Sequence, residues 1–254
     1  MQIVITGASG LIGRALAKEL RARGASITGI SRTPLGPTGD GITWVPWGGL
    51  PDAVSGAQAV IHLAGAGVAD KRWSTQRKAE LRSSRIDTGR RVVEAIAGAG
   101  EKPSVLVSAS AVGYFGDRGD EVLTEDSAPG EGFWAELCRD WEASVSDAVI
   151  RTAVIRIGLV LSADGGFLKP QLLPFKLGLG GPIGGGGQYL PWIHIDDVVQ
   201  YLLWATEDNA VEGIFNAAAP ITHRDAVCAR CSSCGPPRYD LLAMSQPNVG
   251  AVLR

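Results

Sequence analysis

Eight residues near the N-terminus constrain the fold most. Thr6-Gly7-Ala8-Ser9-Gly10-Leu11-Ile12-Gly13 carries glycines at the spacing G-x-x-G-x-x-G. The tract lies between a short apolar run, residues 2–6, and apolar residues Leu11, Ile12, Leu16, Ala17 and Leu20 recurring at helical spacing. In that strand–loop–helix setting each glycine has a job. Gly7 permits the sharp turn, Gly10 lets backbone N–H groups approach a pyrophosphate, and Gly13 lets the helix lie close to the strand. The helix N-terminus adds partial positive charge at the same point. The motif therefore reads as a phosphate cradle formed by Gly7, Ser9, Gly10, Leu11, Ile12 and Gly13.

The rest of the chain alternates in the same way. Gly24 closes the first helix, and Ala25–Ile30 reads as a second strand. A Pro/Gly-rich loop runs from Thr33 to Gly41, and residues 58–63 form a buried-type strand ending at Ala64-Gly65. Residues 74–99 predict a long helix, 104–108 a strand, 132–146 a helix and 152–161 a strongly β-branched strand. Helix is expected again around 169–177 and over 195–207, and strand over 213–216. Such alternation predicts an α/β protein with a Rossmann-type, doubly wound parallel sheet. The nine glycines in residues 165–187 suggest a small C-terminal substrate lobe outside that sheet. The expected division is residues 1–160 for dinucleotide binding, 161–225 for the lobe and last sheet elements, and 226–254 for an atypical tail.

Several function classes recede on composition. There are 24 basic and 26 acidic residues among 254, with no basic stripe, which argues against a nucleic-acid partner. No apolar run reaches the ~18 residues of a membrane span. The N-terminus does not read as a signal peptide, and the four cysteines do not form a secreted disulfide framework, so the cytoplasm is the expected compartment. A homodimer is left open. Cys228, Cys231 and Cys234 have iron–sulfur-like spacing but no evident fourth ligand, and no metal is expected.

Strand two ends in Ser31-Arg32, where an NAD site usually has an acidic residue for the ribose hydroxyls. An arginine there can pair with a 2′-phosphate, which favours NADP over NAD.

These residues, with Leu63-Ala64-Gly65, resemble the extended and atypical short-chain dehydrogenase/reductases. The likeness narrows at Asp70-Lys71-Arg72-Trp73, Ser84-Arg85-Ile86, the tract from Ser108 to Tyr114, Arg139-Asp140-Trp141-Glu142, residues 175–181, and Trp192 to Asp197. Together they are similar to the epimerase-family group that includes the YfcH-like proteins, over about residues 1–220. The resemblance implies NAD(P) binding, with Leu63, Ala64, Gly65, Arg85 and Ser108 at the cofactor, and oxidoreductase or epimerase chemistry on a small carbonyl or sugar-like substrate.

One departure matters. Reductases of the wider group use Ser, Tyr and Lys, the last two four apart on one helix. Counting back from Glu142 puts Trp134 at the Tyr position and Cys138 at the Lys position. Indole is only a donor, and a thiol cannot act as an ammonium. Ser110 matches the polarising serine, and Tyr114 is the nearest candidate acid. Arg72, Trp73, Trp192 and His194 are candidates for the substrate pocket, His194 with a structural role as the bland alternative, since Asp196-Asp197 are expected to cap the next helix. The rival to an enzyme is a catalytically inactive NADP-binding scaffold or redox sensor. The family pattern fades near Ala226, and a reading-frame shift there is the expected origin of the tail.

Overall fold

The computed structural model describes residues 1–33, 39–177, 179, 181, 187–220 and 223–224. The tail beyond residue 224, with its three cysteines, and residues 34–38 of the Pro/Gly-rich loop lie outside that set. The elements in chain order are β1 (Gln2–Thr6), α1 (Leu11–Ala22), β2 (Ser26–Ser31), β3 (Ile42–Pro46), α2 (Leu50–Val54), β4 (Ala59–His62), α3 (Thr75–Gly98), β5 (Val105–Ala111) and α4 (Phe133–Ala143). They continue with β6 (Arg151–Ile157), β7 (Leu159–Ser162), β8 (Gly165–Gly166), α5 (Lys169–Lys176), β9 (Tyr189–Leu190), β10 (Trp192–His194), α6 (Ile195–Glu207), β11 (Gly213–Ala217) and β12 (His223–Arg224).

Among the described residues, seven strands form one sheet in the order β3-β2-β1-β4-β5-β6-β11, every neighbouring pair parallel. The order reverses between β1 and β4, and such a switch point opens a crevice at the carboxyl ends of the strands. The strands read as near-continuous apolar runs because both faces are covered. On one face, α1 and α6 pack over Ile3, Ile5, Ile61, Val107 and Ile155. On the other, α2 and α3 cover Val4, Val60, Leu106 and Val154. Gly24 ends α1 as expected. Its φ is +79°, its N–H bonds the Arg21 carbonyl, and the Ala25 N–H bonds the Leu20 carbonyl, satisfying two terminal acceptors.

Two sequence expectations need correction. Residues 152–161 are not one strand. The chain leaves the main sheet after Ile157, and β7 pairs with β10 and β8 in a separate three-stranded sheet. Gly158 is the joint: its N–H bonds the Ala217 carbonyl, and a Cβ there would sit 2.4 Å from the Pro191 carbonyl oxygen. Strand β3 and helix α2 also went unread. The former is a half-buried edge strand directly after the Pro/Gly loop, so its apolar pattern is weak.

The small lobe comprises β7, β8 and β10, with α5 and the β9–β12 pair. It leans on the cradle, because Leu11 is the side chain nearest to both Gly165 and Gly166.

Candidate functional site

The parallel register brings Thr6, Ser31, His62, Ser108 and Ser110 to the same carboxyl edge of the sheet. Gly7, just past β1, has φ +76°, and a Cβ on it would lie 2.7 Å from the Leu63 carbonyl group. A Cβ on Gly13 would lie 2.3 Å from the Gly7 carbonyl oxygen. These two glycines are compelled by the protein's own backbone. Gly10 is less so, with its nearest atom at 3.2 Å, and it is the position from which a bound group can be approached. The loop is fixed by Gly10 N–H to the Gly7 carbonyl at 2.9 Å and by Arg14 Nη1 donating to the Ser9 carbonyl at 2.7 Å. The first-turn N–H groups of the 12-residue α1 have no intrahelical partners and stand at this loop. A loop held this tightly at Gly7 and Gly13, open at Gly10 and headed by those donors, fits a dinucleotide's diphosphate.

The Ser31 hydroxyl accepts from the Thr33 N–H at 3.3 Å, and Arg32 is exposed with no hydrogen bond among the described residues. Opposite them, Leu63-Ala64-Gly65 leaves β4, tied to β1 by Leu63 N–H to the Thr6 carbonyl and Ala64 N–H to Thr6 Oγ1. Thr6 Oγ1 also lies 2.7 Å from Nδ1 of the fully buried His62. His62 Nε2 makes no hydrogen bond of good geometry among the described residues. Burial, above all, pulls the His62 pKa down from 6.5 to about 4; the Arg85 backbone opposes this and the Arg85 charge adds to it. Beyond Gly65 two buried arginines brace the loop. Arg85 donates to the Ala66 carbonyl at 3.0 Å and to the Leu81 carbonyl at 3.2 Å, with its guanidinium 5.1 Å from the Trp141 ring centre. Arg77 donates to the Gly67 carbonyl and pairs with Glu80 at 2.6 Å and Asp70 at 3.7 Å.

At the end of β5 lies a network that the sequence did not announce. The Ser110 hydroxyl, 2% exposed, donates to Glu142 Oε1 at 2.6 Å. Arg156 clamps the same carboxylate through Nε at 2.8 Å and Nη2 at 2.9 Å. Its guanidinium carbon also stacks 3.5 Å from the centre of the Tyr114 ring, and its Nη1 donates to the Glu125 carbonyl. The sequence had singled out Ser110, Tyr114 and Glu142 separately; Arg156, which joins them, is the member it missed, a lone arginine in the β-branched run 152–161. Ser108 is fully buried and its hydroxyl donates to the Ala109 carbonyl at 3.3 Å.

Trp134 and Cys138 lie one turn apart on α4. The Trp134 indole fills a notch over Gly113, where a Cβ would fall 1.7 Å from Nε1. Cys138 is fully buried, and burial together with the Glu142 charge pushes its thiol up to about 12.

The four substrate candidates sit on two elements. Arg72 and Trp73 belong to the loop before α3, where Arg72 is exposed. The Trp73 indole N–H donates to the Val68 carbonyl at 2.9 Å, and its ring packs on Phe133 and Trp134. Trp192 and His194 form β10, and the Trp192 carbonyl accepts from the Ala219 N–H. His194, not the expected Asp196-Asp197, caps α6: its Nδ1 accepts from the Asp196 N–H at 3.3 Å. The two carboxylates occupy the first helical turn instead, where they face the positive end of the helix.

Fold and cradle together define a Rossmann-type dinucleotide-binding protein. Residues 3–218 match the NAD dependent epimerase/dehydratase family, and the chain belongs to it. It is 40% identical over 228 residues to the epimerase family protein SDR39U1 of Bos taurus, covering 87% of this chain and 75% of that protein. It is 38% identical over 231 residues to the chloroplastic SDR39U1 homolog of Arabidopsis thaliana, covering 87% of this chain and 66% of that protein. The chain thus spans just under two thirds of the plant relative. Among solved structures it is similar to human SDR39U1 isoform 2 with NADPH, at TM-score 0.83 and 35% identity, covering 91% of this chain and 78% of that one. A nucleoside-diphosphate sugar epimerase from Corynebacterium glutamicum superposes at TM-score 0.78 and 36% identity, covering 92% of this chain and 49% of that one. No helix among the described residues is long and apolar enough to cross a membrane.

Proposed function

We propose that this chain binds NADP(H) and acts as an oxidoreductase or epimerase on a small hydroxyl or carbonyl compound, sugar-like in size and polarity. The observation that carries the reading is the cradle between β1 and α1, pressed against the exit of β4 so closely that a Cβ at Gly7 or Gly13 has no room. Gly7, Ser9, Gly10, Leu11, Ile12 and Gly13 hold the diphosphate, and Ser31 with Arg32 takes the adenosine ribose and its 2′-phosphate. Leu63, Ala64 and Gly65 flank the cofactor, with Arg85 and Ser108 supporting that wall. The human relative solved with NADPH supports the choice of NADP over NAD. When bound, the nicotinamide supplies a hydride donor or acceptor.

The protein's own part is proton handling. Ser110 directs its proton to Glu142 and keeps Oγ lone pairs for a substrate hydroxyl. To polarise a carbonyl instead, the Ser110 hydroxyl rotates away from Glu142. Tyr114, its ring held against Arg156, offers the phenolic O–H that Trp134 cannot. Arg72 supplies charge to the substrate, and Trp73 and Trp192 supply ring faces. His194, whose Nδ1 is engaged in capping, offers its other nitrogen. A cytoplasmic location and a homodimer complete the proposal.

The test is NADPH and NADH titration by fluorescence, then a screen for cofactor turnover with hydroxyl and carbonyl compounds. Ser110→Ala and Tyr114→Phe should each lower kcat about 100-fold or more with the NADPH Kd unchanged. Unchanged turnover in Tyr114→Phe removes Tyr114 from the mechanism. The second reading, an NADP-binding scaffold or redox sensor, draws on Trp134 and the inert Cys138 in place of a Tyr–Lys pair. Tight binding without turnover on any compound decides for it, and no binding removes both.

A further inference from the structure

Strand β6 runs between β5 and β11, and the register sets Ser110, Arg156 and Asn216 side by side at the carboxyl edge of the sheet. Arg156 is a charged residue in an otherwise apolar stretch of β6, and it is 1% exposed. Apolar side chains of similar volume often hold such a position with no loss of stability. Stability therefore does not by itself account for a cation here.

The guanidinium is planar, and three of its contacts lie at its edge. Nε and Nη2 fork onto Glu142, and Nη1 donates to the Glu125 carbonyl at 3.1 Å. Both partners are themselves held. Glu142 Oε1 accepts from Ser110, and Glu125 Oε1 accepts from the Asn216 N–H at 2.8 Å. Gripped on two sides, the group cannot rotate out of its plane. Its face is left for a ring, and the centre of Tyr114 lies 3.5 Å from the guanidinium carbon. The Phe115 ring meets Tyr114 edge-on, at 84° and 5.3 Å between centres, and lies 5.0 Å from the same carbon. Tyr114 itself belongs to the single 3₁₀ turn Val112–Phe115 after β5. The ring is thus oriented by its neighbours, and chiefly by Arg156.

We propose that Arg156 is a positioning residue: its fixed guanidinium plane sets the plane of the Tyr114 ring and so the direction in which the phenolic proton is delivered. The inference rests on Tyr114 being the proton donor. In a carbonyl reduction Tyr114 hands that proton to the substrate oxygen as the substrate carbon takes the hydride of NADPH, and the phenolate regains a proton from water. A phenolic O–H lies close to the plane of its ring, so a ring free to turn delivers its proton along the required line only part of the time. The same guanidinium, through Glu142, holds the acceptor of Ser110, which puts both proton-handling groups on one rigid support.

The probe is NADPH oxidation with DL-glyceraldehyde, or with whichever compound of the screen turns over fastest. Lysine at 156 keeps a cation for Glu142, and with it the arrangement of Ser110, but has neither fork nor flat face. Arg156→Lys should lower kcat about tenfold or more, with KM and the NADPH Kd within twofold. In a Tyr114→Phe background the same substitution should change kcat less than twofold, because the ring remains and the proton does not. Equal losses in the two backgrounds mark a merely structural arginine and overturn the inference, with Tyr114 still the donor. If Arg156→Lys does not fold, the paired Arg156→Met/Glu142→Met, which leaves no lone buried charge, is read in the same two backgrounds by the same criterion. Fluorine NMR with 3-fluorotyrosine needs no substrate. The Tyr114 signal, assigned by its loss in Tyr114→Phe, should pass from two lines, one for each side of a ring that does not flip, to one averaged line in Arg156→Lys. The same pattern in both chains overturns the inference. A wild type without turnover on any compound, or a Tyr114→Phe chain at the wild-type rate, overturns the proton-donor reading and this inference together.

Discussion

Acidification offers a sharp test of the junction between β1 and β4. His62 is fully buried and neutral, its Nδ1 against Thr6 Oγ1, with its pKa down from 6.5 to about 4. In the unfolded chain the imidazole returns to its ordinary value, so between about pH 6.5 and pH 4 the unfolded state holds a proton that the folded state does not. Folding stability contributed by a neutral His62 is complete above pH 6.5 and falls as the pH drops towards 4. Each unit of that window is worth about 1.4 kcal/mol, so this one group removes about 2 kcal/mol between pH 6.5 and 5. That is a large share of a typical ~5–15 kcal/mol total. The assay is urea unfolding followed by tryptophan fluorescence at pH 7.5, 6.5, 5.8 and 5.0, on the wild type and on His62→Asn. Asparagine keeps an acceptor for Thr6 but does not titrate. The wild type should lose about 2 kcal/mol more than the variant over the range, since every other group is common to both. Parallel pH profiles, within about 0.5 kcal/mol, would refute a buried neutral imidazole.

Two further outcomes follow from contacts already described. Glu142→Gln should destabilise the chain by about 3–5 kcal/mol in the same unfolding assay, because Arg156 is 1% exposed and would keep a buried charge without its carboxylate. Gly13→Ala should abolish NADPH binding by fluorescence titration, because its Cβ would fall 2.3 Å from the Gly7 carbonyl oxygen and push the cradle open. A Gly13→Ala chain that binds NADPH as the wild type does contradicts the cradle.

The sequence disclosed this fold where periodicity and punctuation agreed. Strand β1, helix α1 with Gly24, and the long α3 were legible because burial on both faces of the sheet leaves unbroken apolar runs between glycine stops. The break at Gly158 was not, because Ile157 and Leu159 are equally apolar and only Pro191 and Ala217, far along the chain, force the turn. The cradle was legible because its chemistry lies within eight consecutive residues. The Ser110–Glu142–Arg156 network was not, since its members lie 32 and 14 positions apart and meet only through the packing of α4 on β5 and β6. Trp73 illustrates the same limit: its indole beside Arg72 made it a candidate for the substrate pocket, and the fold adds the donation to Val68 and the packing against Trp134.

The fit of Trp134 over Gly113 limits what α4 can be made to carry. The two positions of α4 at which the sequence led us to look for a Tyr–Lys pair are built into the wall of the protein, one as a ring keyed to a glycine and the other as a fully buried thiol. A lysine at 138 would bring a second cation into the buried surroundings that already hold Arg85. Introducing a lysine at 138 therefore costs folding before it can supply chemistry. A proton donor for chemistry at this site would have to stand elsewhere, and Tyr114, just past the end of β5, is the candidate nearest to Ser110 in sequence.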